Sequence, residues 1–237
     1  MPINNERPYS PVDGVHVKDD FLRNDSVADA LLGEVRWEIA LIANASTYSN
    51  IAADEAMYGV LRMQTAGVTG DGSVLRTFTD GLVLGASGGG IAFRFRYPNI
   101  TGNVIAANNF RIGVGDSASV TDAGVGIEVK SLGGVLTLRA DSTDGGDLNQ
   151  AITGVSTLTS GTTAVLDTWH DVLVKWEGAN GQGGPRFVEC FVDGELGASV
   201  FCNIDDDEEV KLNIVHWNSS GATLELDLDY YEFWQWR

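Results

Sequence analysis

Two segments of alternating character between residues 169 and 194 constrain the fold of this chain more than any other stretch. The first is Trp169-His170-Asp171-Val172-Leu173-Val174-Lys175-Trp176 and the second is Phe187-Val188-Glu189-Cys190-Phe191-Val192, which runs into Asp193-Gly194. A side-chain period of two suits a strand with one buried face, and Asp-Gly suits the left-handed backbone of a hairpin turn. The same signal recurs along the chain. In Ile91-Ala92-Phe93-Arg94-Phe95-Arg96-Tyr97 the aromatic rings share one face and the two arginines the other. Further strands are expected at 37–42, 58–65, 74–79, 109–115, 124–130, 134–140, 148–156, 200–203, 211–217 and 223–236. Only 27–34 and 50–57 look locally helical, and each reads equally as a single turn or loop. With 29 Gly against 5 Pro and 43% hydrophobic residues, the composition favours many strands and tight turns around a sizeable core. The expected fold is all-β, an antiparallel two-sheet jelly-roll sandwich. No repeat or linker divides the 237 residues, so residues 17–237 read as a single domain. Residues 1–16, polar and carrying Pro2, Pro8 and Pro11, read as an extended arm.

The chain carries 33 Asp+Glu against 15 Lys+Arg, a formal net charge of -18. Such a surface repels phosphate backbones and anionic lipid, so neither nucleic acid nor membrane is an expected partner. No apolar run approaches the ~18 residues of a membrane span, and the N-terminus lacks a basic-then-apolar signal pattern. A chain made and kept in cytosol is therefore expected to leave Cys190 and Cys202 as buried free thiols. If Asp193-Gly194 is a two-residue turn, Cys190 lies opposite Gly197.

Residues with chemical potential are few. Three histidines, His16, His170 and His216, are widely spread. The run Ala86-Ser87-Gly88-Gly89-Gly90 lacks the Lys-Ser/Thr of a phosphate loop. Two acidic loops, 141–147 and 205–209, miss the regular spacing of a calcium loop, so no metal or cofactor is expected. Arg94 and Arg96 form a basic spot. They either pair with same-face carboxylates such as Glu128 or meet another acidic copy or a shell protein. Trp217, Trp234 and Trp236 are candidate aromatic platforms for sugar. Trp234 and Trp236 share parity with Leu224, Leu226 and Leu228, which assigns them to the core unless they anchor a subunit contact.

The 169–194 stretch resembles the W-H-x-V-x-V-x-W … Y-V-D-G core of concanavalin A-like jelly rolls, especially their laminin G-like branch. The end, Leu228-Asp229-Tyr230-Tyr231-Glu232-Phe233-Trp234-Gln235, is similar to the closing strand of laminarinase-type relatives. Glycosidases of that group carry Glu-x-Asp-x-(x)-Glu on one mid-chain strand, with carboxylates about 5–5.5 Å apart for retention. Here Glu225-Leu226-Asp227-Leu228-Asp229 imitates it on the last strand, with Asp in third place, and reads as a solvent-facing acidic ladder. The N-terminal third, through Asp19-Asp20-Phe21-Leu22, Gly33-Glu34-Val35-Arg36-Trp37 and Gly59-Val60-Leu61-Arg62-Met63-Gln64-Thr65, resembles tailed-phage virion proteins built on this jelly roll. That resemblance implies a non-enzymatic virion structural protein, a capsid decoration, head-fibre or tail-associated subunit assembled in host cytoplasm. It also implies capsid or tail proteins as partners, docking through residues 1–16, and a homotrimer by analogy. The alternative is a carbohydrate-binding lectin-like module, reading a host glycan. A glycoside hydrolase ranks third.

Overall fold

The computed structural model describes residues 14–21, 31–32, 37–42, 47–52, 59–77, 82–84, 88–117, 124–141, 148–179, 184–202, 204 and 209–236. Among them the chain forms two antiparallel sheets and a single 3₁₀ turn, Ile105–Ala107. The first sheet runs in space as β15 (Glu195–Phe201), β14 (Pro185–Val192), β13 (His170–Ala179), β8 (Gly89–Arg96), β17 (Glu225–Trp236), β5 (Gly59–Gln64) and β4 (Thr47–Ala52). The strand β1 (Gly14–Asp19) pairs with the far half of β17, beyond the reach of β5. The second sheet runs as β12 (Asn149–Ala151), β11 (Val135–Asp141), β10 (Gly126–Leu132), β9 (Asn108–Gly115), β16 (Glu209–Asn218), β6 (Gly72–Thr77), β3 (Trp37–Ile42) and β2 (Leu31–Leu32), with β7 (Leu82–Val83) on β16. The expected jelly-roll sandwich is the fold.

Alternation fills the space between the sheets. Phe93 and Phe95 of β8 point inward and meet Phe110 of β9, the closest ring pair standing 4.8 Å apart and tilted edge-on. Trp37 of β3 meets Tyr231 of β17 edge-on at 5.2 Å. Burying each such ring contributes roughly 1.5–3 kcal/mol, with about 0.5–1.5 more from edge-to-face contact. Two hydroxyls pin one sheet to the other. Tyr231 donates to the Gly113 carbonyl at 2.8 Å, and Tyr97 donates to Ser131 Oγ at 2.7 Å. The motif residues of the 169–194 stretch also bond one another. His170 Nδ1 donates to Asp193 Oδ2 at 2.9 Å, while its Nε2 accepts from the Val165 amide at 3.1 Å, which places the proton on Nδ1. At the other end of the chain, Asp19 accepts from Trp37 Nε1 at 2.9 Å and from the Phe21 amide at 2.8 Å.

Several expectations change in detail. Asp193 and Gly194 both have positive φ, as the Asp-Gly turn requires. A bulge between Cys190 and Phe191 nevertheless sets Cys190 opposite Ala198 instead of Gly197. Gly197 takes the irregular place because Ile152 stands 2.4 Å from where a Cβ would be. Cys190 and Cys202 are buried and free. β1 begins at Gly14, so the last three residues of the expected arm belong to the sheet, and residues 1–13 lie outside those described. Residues 50–52 are strand, not helix, because they pair with β5. The rest of that expected helix and most of 27–34 lie outside the described residues. So do 142–147 and 205–208, the bulk of the two acidic loops. Among the described residues no group of three metal-capable side chains gathers.

Candidate functional site

One irregularity in β17 decides which side chains reach the outer face of the first sheet. Asp227 pairs with Arg96 and Leu228 with Phe95, but the next pair is Tyr230 with Arg94, so Asp229 is an extra, bulged residue. Past the bulge the parity reverses. Tyr231 and Phe233 enter the core with Leu226 and Leu228, while Trp234 and Trp236 turn outward with Asp227. The expected core assignment of both tryptophans is thereby overturned, and each is half-buried on the outer face. The glycine run accommodates these indoles. A Cβ on Gly90 would lie 2.3 Å from Trp234 Cζ2, and one on Gly88 would lie 3.3 Å from Trp236 Cδ1. Gly89, whose Cβ would point the other way, faces Trp176 in the core.

At the opposite end of the same face, arginines and carboxylates alternate across four strands. Asp227, with no exposed surface, accepts from Arg62 Nε at 2.7 Å, Arg62 Nη2 at 2.9 Å and Arg96 Nε at 2.9 Å. The hydrogen bond to Asp227 raises the Arg62 guanidinium above its ordinary pKa, against the opposing effect of burial. Glu225 takes Arg62 at 2.9 Å and the Gln64 amide at 2.7 Å. Arg94 Nη1 reaches Asp229 at 3.2 Å and its Nε faces Asp171 at 3.7 Å, while Arg96 Nη1 faces Asp167 at 3.8 Å. Trp169 lies over both guanidiniums, 5.2 Å from Arg94 and 4.7 Å from Arg96. Tyr230 donates to Asp171 at 3.4 Å. Burial pushes the Asp171 carboxyl up, with the Arg94 charge opposing it.

The structure thus brings Arg94, Arg96, Trp234 and Trp236 onto one face and leaves Trp217 elsewhere. Trp217 sits on the outer side of the second sheet, packed against Gly72 and 8% exposed, so it offers no platform. Glu128 is not the partner of Arg94 or Arg96, because β10 belongs to the second sheet. It is buried there between Arg139 at 3.2 Å and Arg111 at 3.7 Å, with Asn213 at 3.3 Å. The carbonyls of Ser117 and Gly124 accept from Arg111 and Arg139 and close that cluster from outside. Burial raises the Glu128 carboxyl even against two guanidiniums. The acidic ladder also differs from expectation. Glu225, Asp227 and Asp229 reach the outer face, yet arginines cover them and none exceeds 7% exposure. Sequence reasoning had not singled out Trp169, Asp167 or Asp171 as site residues. The only available signal was that the outward positions of β13 oppose Arg94.

Chemically the open part of this face is an indole lying on two cations and flanked by carboxylates. Asp167 and Asp171 expose 57% and 43% of their side chains. Farther along the face, Phe187 and Phe201 meet at 4.4 Å with their rings tilted 42° and stand exposed with Leu196 at the β14–β15 edge.

No family model and no curated protein sequence matches this chain. Solved structures do. An endo-β-1,4-glucuronan lyase from the fungus Trichoderma reesei superposes with TM-score 0.62 at 13% identity, covering 92% of this chain and 94% of the lyase. A protein of unknown function from Shewanella oneidensis MR-1 gives 0.58 at 14% identity, over 94% and 86% of the two chains. The carbohydrate recognition domain of Emp47p gives 0.55 at 8% identity, over 97% and 100%. At such identities the likeness establishes the concanavalin A-like sandwich and nothing finer.

Proposed function

We propose that this chain is a carbohydrate-binding module without catalytic activity, and that sugar is met on the outer face of the first sheet around Trp169. The observation that carries the proposal is the half-buried Trp169 indole held over Arg94 and Arg96 with the open carboxylates of Asp167 and Asp171 beside it. A flat apolar ring suits the C–H face of a pyranose, and acceptors and donors at its rim suit the hydroxyls. The recurrence of sugar-handling proteins among the structural neighbours supports the same reading. Acid–base catalysis finds little support, because Asp227 is fully buried and its hydrogen bonds come from two guanidiniums, which stay protonated and relay no proton near neutral pH.

The virion-subunit reading, with its homotrimer and its capsid or tail partners, rests on the resemblance of residues 19–65. Asp19 and Trp37, which carry much of that resemblance, bond each other inside the fold. A virion protein that reads a host glycan would use the same face, so sugar binding comes first. A glycan array followed by titration calorimetry tests it. Trp169→Ala should weaken binding at least about tenfold, while Leu132→Ala, an exposed site on the second sheet, should not. An array without hits, or equal binding by Trp169→Ala, refutes the proposal.

A further inference from the structure

We infer that the face around Trp169 selects sugars bearing a free, protonated amine, an inference that rests on carbohydrate binding at that face. The charges there do not balance. Five carboxylates, of Asp167, Asp171, Glu225, Asp227 and Asp229, meet the three guanidiniums of Arg62, Arg94 and Arg96.

The carboxylates are also arranged in two tiers. The inner tier holds the arginines closely, at 2.7–3.2 Å, and Asp227 alone receives three donors. The outer tier, Asp167 and Asp171, meets the same arginines only at 3.8 and 3.7 Å and stands in solvent on either side of Trp169. Arg94 and Arg96 are thus committed to Asp229 and Asp227 below and to the indole above. They are poorly placed to grip the carboxylate of an acidic sugar, which would meet the excess negative charge instead. An ammonium beside Trp169 meets two half-open carboxylates, a configuration that aromatic rings and acids together favour for cations.

The inner tier is incompletely closed at one point. Asp229, 7% exposed, gives one carboxylate oxygen to Arg94 and leaves Oδ1 without a donor among the described residues, while Arg94 Nε has no hydrogen-bond acceptor among them. One missing donor and one missing acceptor offset each other, so the excess of carboxylates at the open edge, Asp167 and Asp171, decides the selection. The bulge at Asp229 turns Tyr230 outward, where it donates to Asp171.

The test is an array of matched glycans sharing one backbone and carrying at the same position an amine, an N-acetylamine or a carboxylate, read in mildly acidic buffer that keeps the amine charged. The amine members should bind at least about tenfold more tightly than their acetylated counterparts. Asp167→Asn and Asp171→Asn, both at exposed sites, should each erode that preference. Trp169→Ala leaves the net charge unchanged and must lose it. If Trp169→Ala keeps the preference, chain-wide attraction by the acidic surface is its cause and the inference falls. Binding led by the neutral or carboxylate members overturns the amine selection while leaving carbohydrate binding intact. No binding by any member defeats both.

Discussion

Replacing Asp227 by Asn removes one charge and almost no volume from a fully enclosed carboxylate of the first sheet. Its oxygens accept three charge-assisted bonds, and after the change an amide N–H₂ faces guanidinium donors. Breaking a buried pair by removing one partner costs about 3–5 kcal/mol, because the remaining charge is left uncompensated. Arg62 and Arg96 keep 21% and 24% of their side chains in water, and Arg62 retains Glu225 at 2.9 Å, which places the expected loss at the lower end, about 3 kcal/mol. For a domain of this size that corresponds to a melting temperature lower by about 6–12 °C. Urea unfolding at neutral pH, with the slope checked for constancy, measures it directly. The control is Asp171→Asn, whose partner stands at 3.7 Å in partial solvent and whose loss should stay below about 1 kcal/mol. The variant should also weaken sugar binding, since Arg96 without its anchor no longer fixes the underside of Trp169. A loss under about 1 kcal/mol for Asp227→Asn, or equal losses for the two variants, would show that solvent screens the whole network and that it does not order the face.

Gly90→Ala forces a Cβ to within 2.3 Å of Trp234 Cζ2 and 2.7 Å of the Val174 carbonyl, so the indole must leave β8. We expect a loss of about 1–3 kcal/mol by urea unfolding and an altered near-ultraviolet tryptophan signal. Burial alone would raise the Asp193 carboxyl, but hydrogen bonds from His170, Thr157 and the Asp171 amide overcome it and hold the group below its ordinary range. Its contribution is therefore present above the unfolded aspartate pKa and fades as pH falls through the folded value. The stability gap between wild type and Asp193→Asn, followed by urea midpoints, should narrow on acidification, and a constant gap would refute the assignment. Burial pushes the thiols of Cys190 and Cys202 up to about 12 and about 11. A maleimide should label neither in the native protein and both after denaturation, and rapid native labelling would contradict their enclosure.

The fold was legible because each outward and inward position repeats along several strands. Phe93, Phe95, Arg94 and Arg96 lie on the faces that alternation assigns them, and the Asp193-Gly194 turn lies where its backbone chemistry demands. The errors all trace to information that period and composition do not hold. A bulge adds one residue without altering the local pattern, so the inward assignment of Trp234 and Trp236 follows from Leu224, Leu226 and Leu228 and fails beyond Asp229. Which sheet a strand joins is equally invisible. Glu128 alternates as correctly as Asp171, yet β10 and β13 lie in different sheets, and only the topology tells which of them faces Arg94. Trp169 was readable as part of a fold signature, while its place over two guanidiniums depends on β8 and β13 meeting in register.

The two sheets treat outward charge in opposite ways, and that contrast is why the ligand face is assigned to the first. On the second sheet Arg111, Glu128, Arg139 and Asn213 point away from the core but are closed over by backbone carbonyls, with none more than 3% exposed. A carboxylate there meets arginine on both sides and spends its charge holding β9, β10 and β11 together. On the first sheet the same chemistry is graded. Asp227 is sealed, Asp229 is half satisfied, and Asp167 and Asp171 open to solvent beside an indole. A closed network with no exposed charge holds strands together and offers no group to a ligand. The graded one keeps the carboxylates of Asp167 and Asp171 open at its edge, and the bulge in β17 brings Tyr230 and the two outward indoles to the same face. A regular strand would have kept Trp234 and Trp236 on the side of Leu228 and Tyr230 on the side of the core, away from Asp171.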